Sequence, residues 1–216
     1  MRTNPFYDAW LFLIGETGPQ LAIGPWRYLL VAFYWALIIA GIYLAYRNWE
    51  DDPSQRNEAS WGTWLARVLI GSMWFEGCIW KLPIPSGGFQ YWVEQEAQHA
   101  AFGFYRDFVA SVLLPGVAVV NVIAFLAEIG MAASFILGFG VRAFAAFGMI
   151  YTAQLYFGLY RQPNEWPWTY VFIIVICWLF YIQGAGRSLG LDGLLRRETA
   201  LAKGEGLLSR IYRWAS

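Results

Sequence analysis

Residues 26–46 read WRYLLVAFYWALIIAGIYLAY, an apolar stretch with one charged residue, Arg27. A helix needs about 20 predominantly apolar residues to cross a hydrocarbon core roughly 30 Å thick, so this stretch predicts a transmembrane helix. Four further stretches are long and apolar enough, or nearly so, for the same prediction: residues 61–82, 115–137, 141–160 and 166–183. We interpret the chain as an all-α integral membrane protein with five spans.

The composition of the whole chain fits this interpretation. Hydrophobic residues make up 58% of the 216 residues and charged residues only 14%, with a mean hydropathy of +0.42. Soluble domains carry roughly 25% charged residues, so this chain has too little polar surface to coat itself in water, and a lipid bilayer is its expected partner. Its 15 basic and 15 acidic residues cancel, which excludes the basic field that nucleic-acid binding needs.

Basic residues near the ends of the spans predict which side of the membrane each loop occupies. After Gly184 the chain carries six basic and three acidic residues, so we place the C-terminus in the cytoplasm. With five spans the N-terminus then lies outside, together with residues 83–106 and 161–165. Residues 47–60 and the turn with Arg142 lie inside.

Two amphipathic segments flank the spans. Residues 5–17 are predicted to form an interfacial helix, because four side chains recur at helical spacing: Phe6, Trp10, Leu13 and Thr17. Residues 1–24 lack a small-residue cleavage site, so we interpret them as retained rather than as a signal peptide. The tail, residues 196–216, includes an apolar face with basic neighbours, and we expect it to lie on the anionic inner membrane surface. That face is formed by Leu207, Leu208, Ile211 and Trp214, and its basic neighbours are Arg210 and Arg213.

Ionisable residues at membrane depth cost about 2.5–3.5 kcal/mol each on insertion scales, so each should have a partner or a function. In the second span Arg67, Trp74 and Lys81 recur at intervals of seven, which places them on one helical stripe. Glu128 lies near the middle of the third span, about 7 Å deeper than Arg67. We therefore predict an Arg67–Glu128 ion pair, which acts either as a packing clamp or in proton or ligand binding.

Other polar residues leave alternatives open. Glu76 lies half a turn from that stripe and either accepts a hydrogen bond from Tyr34 or is a protonated carboxyl at a subunit interface. Glu96 and His99 have an i, i+3 spacing that could hold a metal ion, but we interpret them as solvated loop residues and predict no metal site. The chain has one histidine and no flavin, phosphate-loop or haem-attachment motif. Electrons would therefore travel on a diffusible quinone or on a partner's cofactor.

Three segments in a fixed order carry a further signal over about 130 residues. They read RVLIGSMWFEGCIWKLP at 67–83, FLAEIGMAASFILGFGVRAFAA at 125–146 and GAGRSLGLDGLL at 184–195. Together they resemble the DoxX family of membrane proteins, with its Gly-x-x-x-Lys-Leu helix end, its glutamate-glycine helix and its closing glycine-arginine element. The positions that carry the family pattern are Arg67, Lys81, Glu128, Arg142, Arg187 and Asp192, whereas Glu76 and His99 do not belong to it.

The resemblance implies a four-helix bundle over residues 61–195, made by spans two to five. Residues 1–60 then supply an interfacial helix and an extra N-terminal span, and the whole chain is one membrane domain. The extra span and the long outer loop look most like the DoxD branch, the small subunit of thiosulfate:quinone oxidoreductase. That resemblance implies a multi-pass protein of a bacterial or archaeal inner membrane that oxidises a small sulfur anion outside and passes electrons to quinone.

Two functions remain open at this point. In the first, the chain is an enzyme subunit of a quinone-linked redox system, whose predicted catalytic residues are Arg67, Glu128 and Lys81. Its predicted cofactor-binding residues, near the outer interface, are Trp74, Trp80 and Arg106, the last also available to the anion. In the second, it is a non-catalytic structural or assembly subunit of a larger respiratory or photosynthetic membrane complex. A quinone pocket and an aromatic packing face use the same residue types, so the sequence does not separate the two.

Overall fold

The computed structural model describes residues 4–199 and 203–216, and over these residues the chain is helical, with no strand. Residues 1–3 of the predicted N-terminal segment and residues 200–202 of the predicted tail lie outside the described residues. The all-α prediction is confirmed for the part that the structure covers. The helices are α1 (Pro5–Ile14), α2 (Gly18–Ala22), α3 (Arg27–Asp51), α4 (Glu58–Ile79), α5 (Gly87–His99), α6 (Gly103–Phe108), α7 (Val117–Leu137), α8 (Val141–Gly158), α9 (Trp168–Gln183), α10 (Leu191–Glu198) and α11 (Leu207–Ala215).

Five long helices, α3, α4, α7, α8 and α9, lie where the five spans are predicted. Two of them are long and apolar enough to cross a membrane: α3 with the turn before it, Gly24–Asp51, and α7, Val117–Leu137. Helix α9 is equally apolar in character but shorter. Length and composition therefore support membrane insertion for part of the bundle, and the five-span topology stays a prediction.

The bundle is built from two antiparallel pairs. Helix α4 packs along α7, α8 packs along α9, and α7 contacts α8 so that the pairs share a core, while α3 packs outside against α7 and α4. Large apolar side chains from all four inner helices fill the space between them. The most deeply buried members are Phe75, Ile79, Met131, Phe135, Ile136, Val141 and Cys177.

The loops fall into two groups at opposite ends of α4. We call one the cavity end, where α5 and α6 fold over the bundle and meet the α8–α9 loop: Arg161 donates its backbone N–H to the carbonyl of His99 at 3.0 Å. We call the other the clamp end, because α10 is held there against the α7–α8 turn. Asp192 of α10 donates its backbone N–H to the carbonyl of Gly138 in that turn at 2.8 Å. The predicted topology places the cavity end outside and the clamp end inside, and this sidedness stays a prediction.

Both terminal helices leave apolar side chains uncovered. In α1, Phe6 is 85% exposed and Trp10 is 56% exposed. Along α11, Leu207, Leu208, Ile211 and Trp214 are all more than half exposed, whereas Ser209 and Tyr212 on the opposite face are buried against the clamp end. The amphipathic character of both segments is therefore present in the structure, and their contact with a membrane stays a prediction.

Candidate functional site

A buried ion pair lies at the cavity end of the bundle. Lys81 follows the last turn of α4, and its Nζ lies 2.6 Å from Oε2 of Glu128 in α7, with both side chains 5% exposed or less. Tyr151 of α8 donates its hydroxyl to the other oxygen of Glu128 at 2.8 Å. Each carboxylate oxygen therefore has a strong donor, as a buried charge requires. The predicted Arg67–Glu128 ion pair is wrong, because Glu128 pairs with Lys81 instead of Arg67.

The ammonium of Lys81 has two further neighbours. It donates to the carbonyl of Gly77 at 2.9 Å, where the free carbonyls of a helix C-terminus favour a cation. The ring of Trp80 lies over it, with Nζ 4.0 Å from the ring centroid, a cation–π geometry. An ammonium has three N–H donors, and Glu128 and Gly77 accept two of them.

Asn121 fixes the backbone that carries Lys81. Its amide nitrogen donates to the carbonyl of Lys81 at 3.1 Å, and its amide oxygen accepts the backbone N–H of Ser86 at 2.8 Å. Asn121 is two turns before Glu128 on α7 and is 1% exposed. One face of α7 therefore carries Glu128, which pairs with Lys81, and Asn121, which fixes the backbone turn that contains Lys81.

A cavity of about 270 Å³ adjoins this group. Residues from α5, α7, α8, α9 and the turn after α4 line it, so it is a joint product of the bundle and the helix that covers its end. Its apolar wall is formed by Trp80, Phe89, Trp92, Val93, Leu155 and Leu159. Its polar wall is formed by Lys81, Glu96, Glu128, Tyr151, Glu165 and Tyr170.

Glu96 is a second buried carboxyl in the same wall. It is 6% exposed and accepts hydrogen bonds from Gln154 and Tyr105 at 2.5 and 3.2 Å. Burial raises the pKa of Glu96 to about 7, although these two hydrogen bonds act in the opposite direction. The interpretation of Glu96 as a solvated loop residue is wrong, because α5 turns this face toward α8.

Arg67 lies at the clamp end, about 21 Å along α4 from Lys81 at 1.5 Å per residue. Its side chain is fully buried and donates to the carbonyl of Phe135 at 2.7 Å and to that of Ser188 at 2.8 Å. Phe135 belongs to the last turn of α7, whose carbonyls have no partner within the helix. Gly138 ends that helix with a φ of +71°, and a Cβ there would lie 2.5 Å from the guanidinium. Arg67 therefore caps α7.

Asp192 caps the next helix at the same end. Its two carboxylate oxygens accept the backbone N–H groups of Gly140 and Val141 at 3.0 and 3.3 Å, which are free donors at the start of α8. The hydroxyl of Tyr212 in α11 also donates to it, at 3.2 Å. The clamp end thus joins the α7–α8 turn to the C-terminal helices through buried polar groups.

The other two predicted cofactor-binding residues, Trp74 and Arg106, do not line the cavity. Trp74 is buried and packs edge-on against the ring of Tyr151, with centroids 5.7 Å apart. Arg106 is exposed and pairs with Asp107 at 3.0 Å. Of the two alternatives for Glu76, the hydrogen bond from Tyr34 is wrong, because Tyr34 bonds to Ser72 at 2.8 Å and Glu76 is exposed. The other alternative, a protonated carboxyl at a subunit interface, stays a prediction. The structure brings Lys81, Glu128 and Trp80 together in the cavity wall and leaves Arg67 and Arg106 outside it.

Sequence reasoning missed Tyr151 and Gln154, and it interpreted Glu96 as solvated although Glu96 is buried. A signal for Glu96 was present, since Phe89, Val93, Glu96 and Ala100 recur at intervals of four, three and four and so share one face of a helix. The two α8 residues are three apart and therefore also share a face. Nothing in the sequence says that these two faces meet.

No family model, curated protein or solved structure matches this chain. Among the described residues, no group of three or more histidine, cysteine, aspartate or glutamate side chains is placed to hold a metal ion.

Proposed function

We propose that this chain is an integral membrane subunit of a quinone-linked redox system, similar to the DoxD branch of the DoxX family, and that a quinone headgroup binds in the cavity beside Lys81. The observation that carries the proposal is the buried Lys81–Glu128–Tyr151 group, which opens onto an aromatic cavity rather than being sealed in the core. A purely structural ion pair has no need of an adjoining cavity.

The shape and chemistry of the cavity suit a single flat ring with carbonyl groups. Its volume of about 270 Å³ is near the lower end of the roughly 300–1,000 Å³ of ligand pockets. Trp80, Phe89 and Trp92 offer faces and edges for stacking. The ammonium of Lys81 has a donor left over for a carbonyl oxygen, and its charge stabilises the negative charge that develops on that oxygen as the ring accepts electrons.

The electron donor in this proposal is a small sulfur anion or a partner protein. Quinone takes up two electrons and two protons to become quinol, and the residues of this chain bind the ring, orient it and supply donors to its oxygens. The chain would work in a bacterial or archaeal inner membrane beside other membrane subunits. A second candidate is the non-catalytic structural subunit, favoured by the exposed aromatic side chains along α3: Tyr28, Phe33, Trp35, Tyr43 and Tyr46.

Membrane insertion and sidedness are tested by single cysteines. Gln98→Cys and Asn164→Cys at the cavity end are expected to react with a membrane-impermeant maleimide on intact cells, and Glu205→Cys only after permeabilisation. All three positions are exposed. The unaltered chain is the control, because Cys78 and Cys177 are both 0% exposed. The reverse labelling pattern would invert the proposed topology, and release of the chain by alkaline carbonate would contradict membrane integration.

Quinone binding is tested by filling the cavity. Leu155→Trp places a larger ring in the cavity wall, and we expect it to weaken binding of a short-chain benzoquinone by at least about tenfold, which corresponds to about 1.4 kcal/mol. The measurement is quenching of tryptophan fluorescence in the detergent-purified chain. Ile150→Trp is the matched control, since the same substitution on α8 falls on a side chain that is 71% exposed. Equal quenching curves for the two variants, or no saturable binding to the unaltered chain, would favour the structural subunit.

A further inference from the structure

We propose that Glu96 is the proton donor that faces one carbonyl oxygen of the bound quinone, and that its proton moves to that oxygen when the ring is reduced. This inference rests on the proposed function and adds a reacting residue to it. Glu96 lies outside the segments that resemble the DoxX family, and its burial in the cavity wall is what points to it.

The carboxyl of Glu96 is held through one of its two oxygens. Gln154 and Tyr105 both donate to the same oxygen, Oε2, and the other oxygen has no hydrogen-bond partner among the described residues. Gly158 permits this position, since a Cβ there would lie 2.7 Å from Oε2. The carboxyl is thus fixed from one side by α6 and α8, while its second oxygen stays available to a ligand in the cavity that Glu96 lines.

Within the part of the chain that the structure describes, the charges around Glu96 leave its carboxyl without a matching cation. No cation pairs with Glu96 among the described residues, and the ammonium of Lys81 is already matched by Glu128. Burial in this setting raises the pKa of Glu96 to about 7, so its carboxyl carries a proton below that pH and loses it above. The titratable groups that surround Glu96 are Tyr105 on α6, Glu128 on α7, Tyr151 on α8, Tyr170 on α9, Lys81 and Glu165 in the adjoining turns, and Glu94 and His99 on α5 itself.

With Glu96 protonated, the cavity offers two donors for the two carbonyl oxygens of a quinone. Quinone reduction forms two O–H bonds. The O–H bond of Glu96 breaks as one of them forms, an N–H bond of Lys81 breaks as the other forms, and both groups regain protons from water. The two electrons come from the sulfur-anion donor, two thiosulfate ions becoming one tetrathionate. Glu96 and Lys81 reach the cavity from different elements, α5 and the turn after α4.

The test is the pH dependence of quinone affinity, measured with a short-chain benzoquinone by fluorescence quenching from pH 5 to pH 9. The unaltered chain should bind about tenfold more weakly at pH 9, because an ionised carboxylate has no proton to donate and repels a carbonyl oxygen. Glu96→Gln should bind tightly at every pH, since its amide always donates, and Glu96→Leu should bind weakly at every pH. Glu94→Gln is the matched control on the same helix and should behave like the unaltered chain.

The outcomes separate this inference from the function on which it rests. If Glu96→Gln keeps the pH dependence of the unaltered chain, the inference is overturned while quinone binding stands. If the unaltered chain binds no quinone at any pH, the proposed function fails.

Proton transfer is tested separately, in isolated membranes with thiosulfate as the electron donor. There Glu96→Gln should still bind quinone, but the rate of quinone reduction should fall by at least about tenfold. An unchanged rate would overturn the transfer step, and absence of reduction by the unaltered chain would overturn that step and the redox function together.

Discussion

Lys81→Met is expected to destabilise the folded chain by about 3–5 kcal/mol and to abolish quinone binding. Removing one partner of a buried ion pair leaves the other charge uncompensated, and the expected cost is of that size. The partner here is Glu128, which has 5% of its side chain exposed and would keep only the Tyr151 hydroxyl. Denaturant unfolding in detergent measures the stability, and fluorescence quenching measures the binding. The matched control is Lys203→Met, since the chain has two lysines and Lys203 is exposed.

A double variant separates the two roles of the pair. Replacing a buried ion pair by apolar residues of similar volume is often neutral or stabilising, so Lys81→Met with Glu128→Leu should regain most of the lost stability. Quinone binding should stay absent, because the donor to the carbonyl oxygen is gone. If Lys81→Met is as stable as Lys203→Met, the ion pair does not form, and if the double variant binds quinone normally, Lys81 is not a ligand contact.

The helices of the bundle could be predicted from apolar length, but the partner of Glu128 could not. The depths of the two residues along their predicted spans put Arg67 within reach of Glu128. Helical spacing correctly put Arg67, Trp74 and Lys81 on one face. What periodicity does not give is the direction of a long side chain at a helix end. Lys81 lies at the end of the second predicted span, residues 61–82, where an ammonium usually extends toward water. It instead folds back toward Gly77 and reaches Glu128 from there.

The burial of Glu96 could not be predicted from the sequence either. Its position on the apolar face of α5 could be read from the spacing of Phe89, Val93 and Ala100. Its burial depends on α5 folding back over the bundle, which is a tertiary contact between segments about 60 residues apart, as the Gln154–Glu96 hydrogen bond shows. Helical periodicity identifies a face, and only the fold identifies what covers it.

The residues that carry the family resemblance divide between the two ends of the bundle. Lys81 and Glu128 line the cavity, whereas Arg67 and Asp192 cap α7 and α8 about 21 Å away along α4. These residues therefore have two different physical roles: Lys81 and Glu128 line the cavity at one end, and Arg67 and Asp192 pair with free backbone groups of helix ends at the other. This division makes Arg67 the most informative residue for a test, because the sequence assigns it to catalysis and the structure assigns it to the clamp.

Arg67→Met is expected to cost about 3–5 kcal/mol of stability, as the loss of a buried, hydrogen-bonded charged group does. The carbonyls of Phe135 and Ser188 would lose their donors, and the one of Phe135 is buried. Arg67→Lys should recover little, because one ammonium does not reproduce a planar fork that serves two carbonyls. Arg210→Met on the exposed face of α11 is the matched control.

Quinone affinity decides between the two assignments of Arg67. The fraction of Arg67→Met or Arg67→Lys that remains folded should bind a short-chain benzoquinone as the unaltered chain does, because the guanidinium lies at the end of α4 remote from the cavity. Denaturant unfolding of both variants gives the stability, and quenching of the folded fraction gives the affinity. A variant with unaltered stability and lost quinone reduction would instead make Arg67 part of the reaction. Loss of stability with retained affinity makes it the cap that holds the α7–α8 turn against α10.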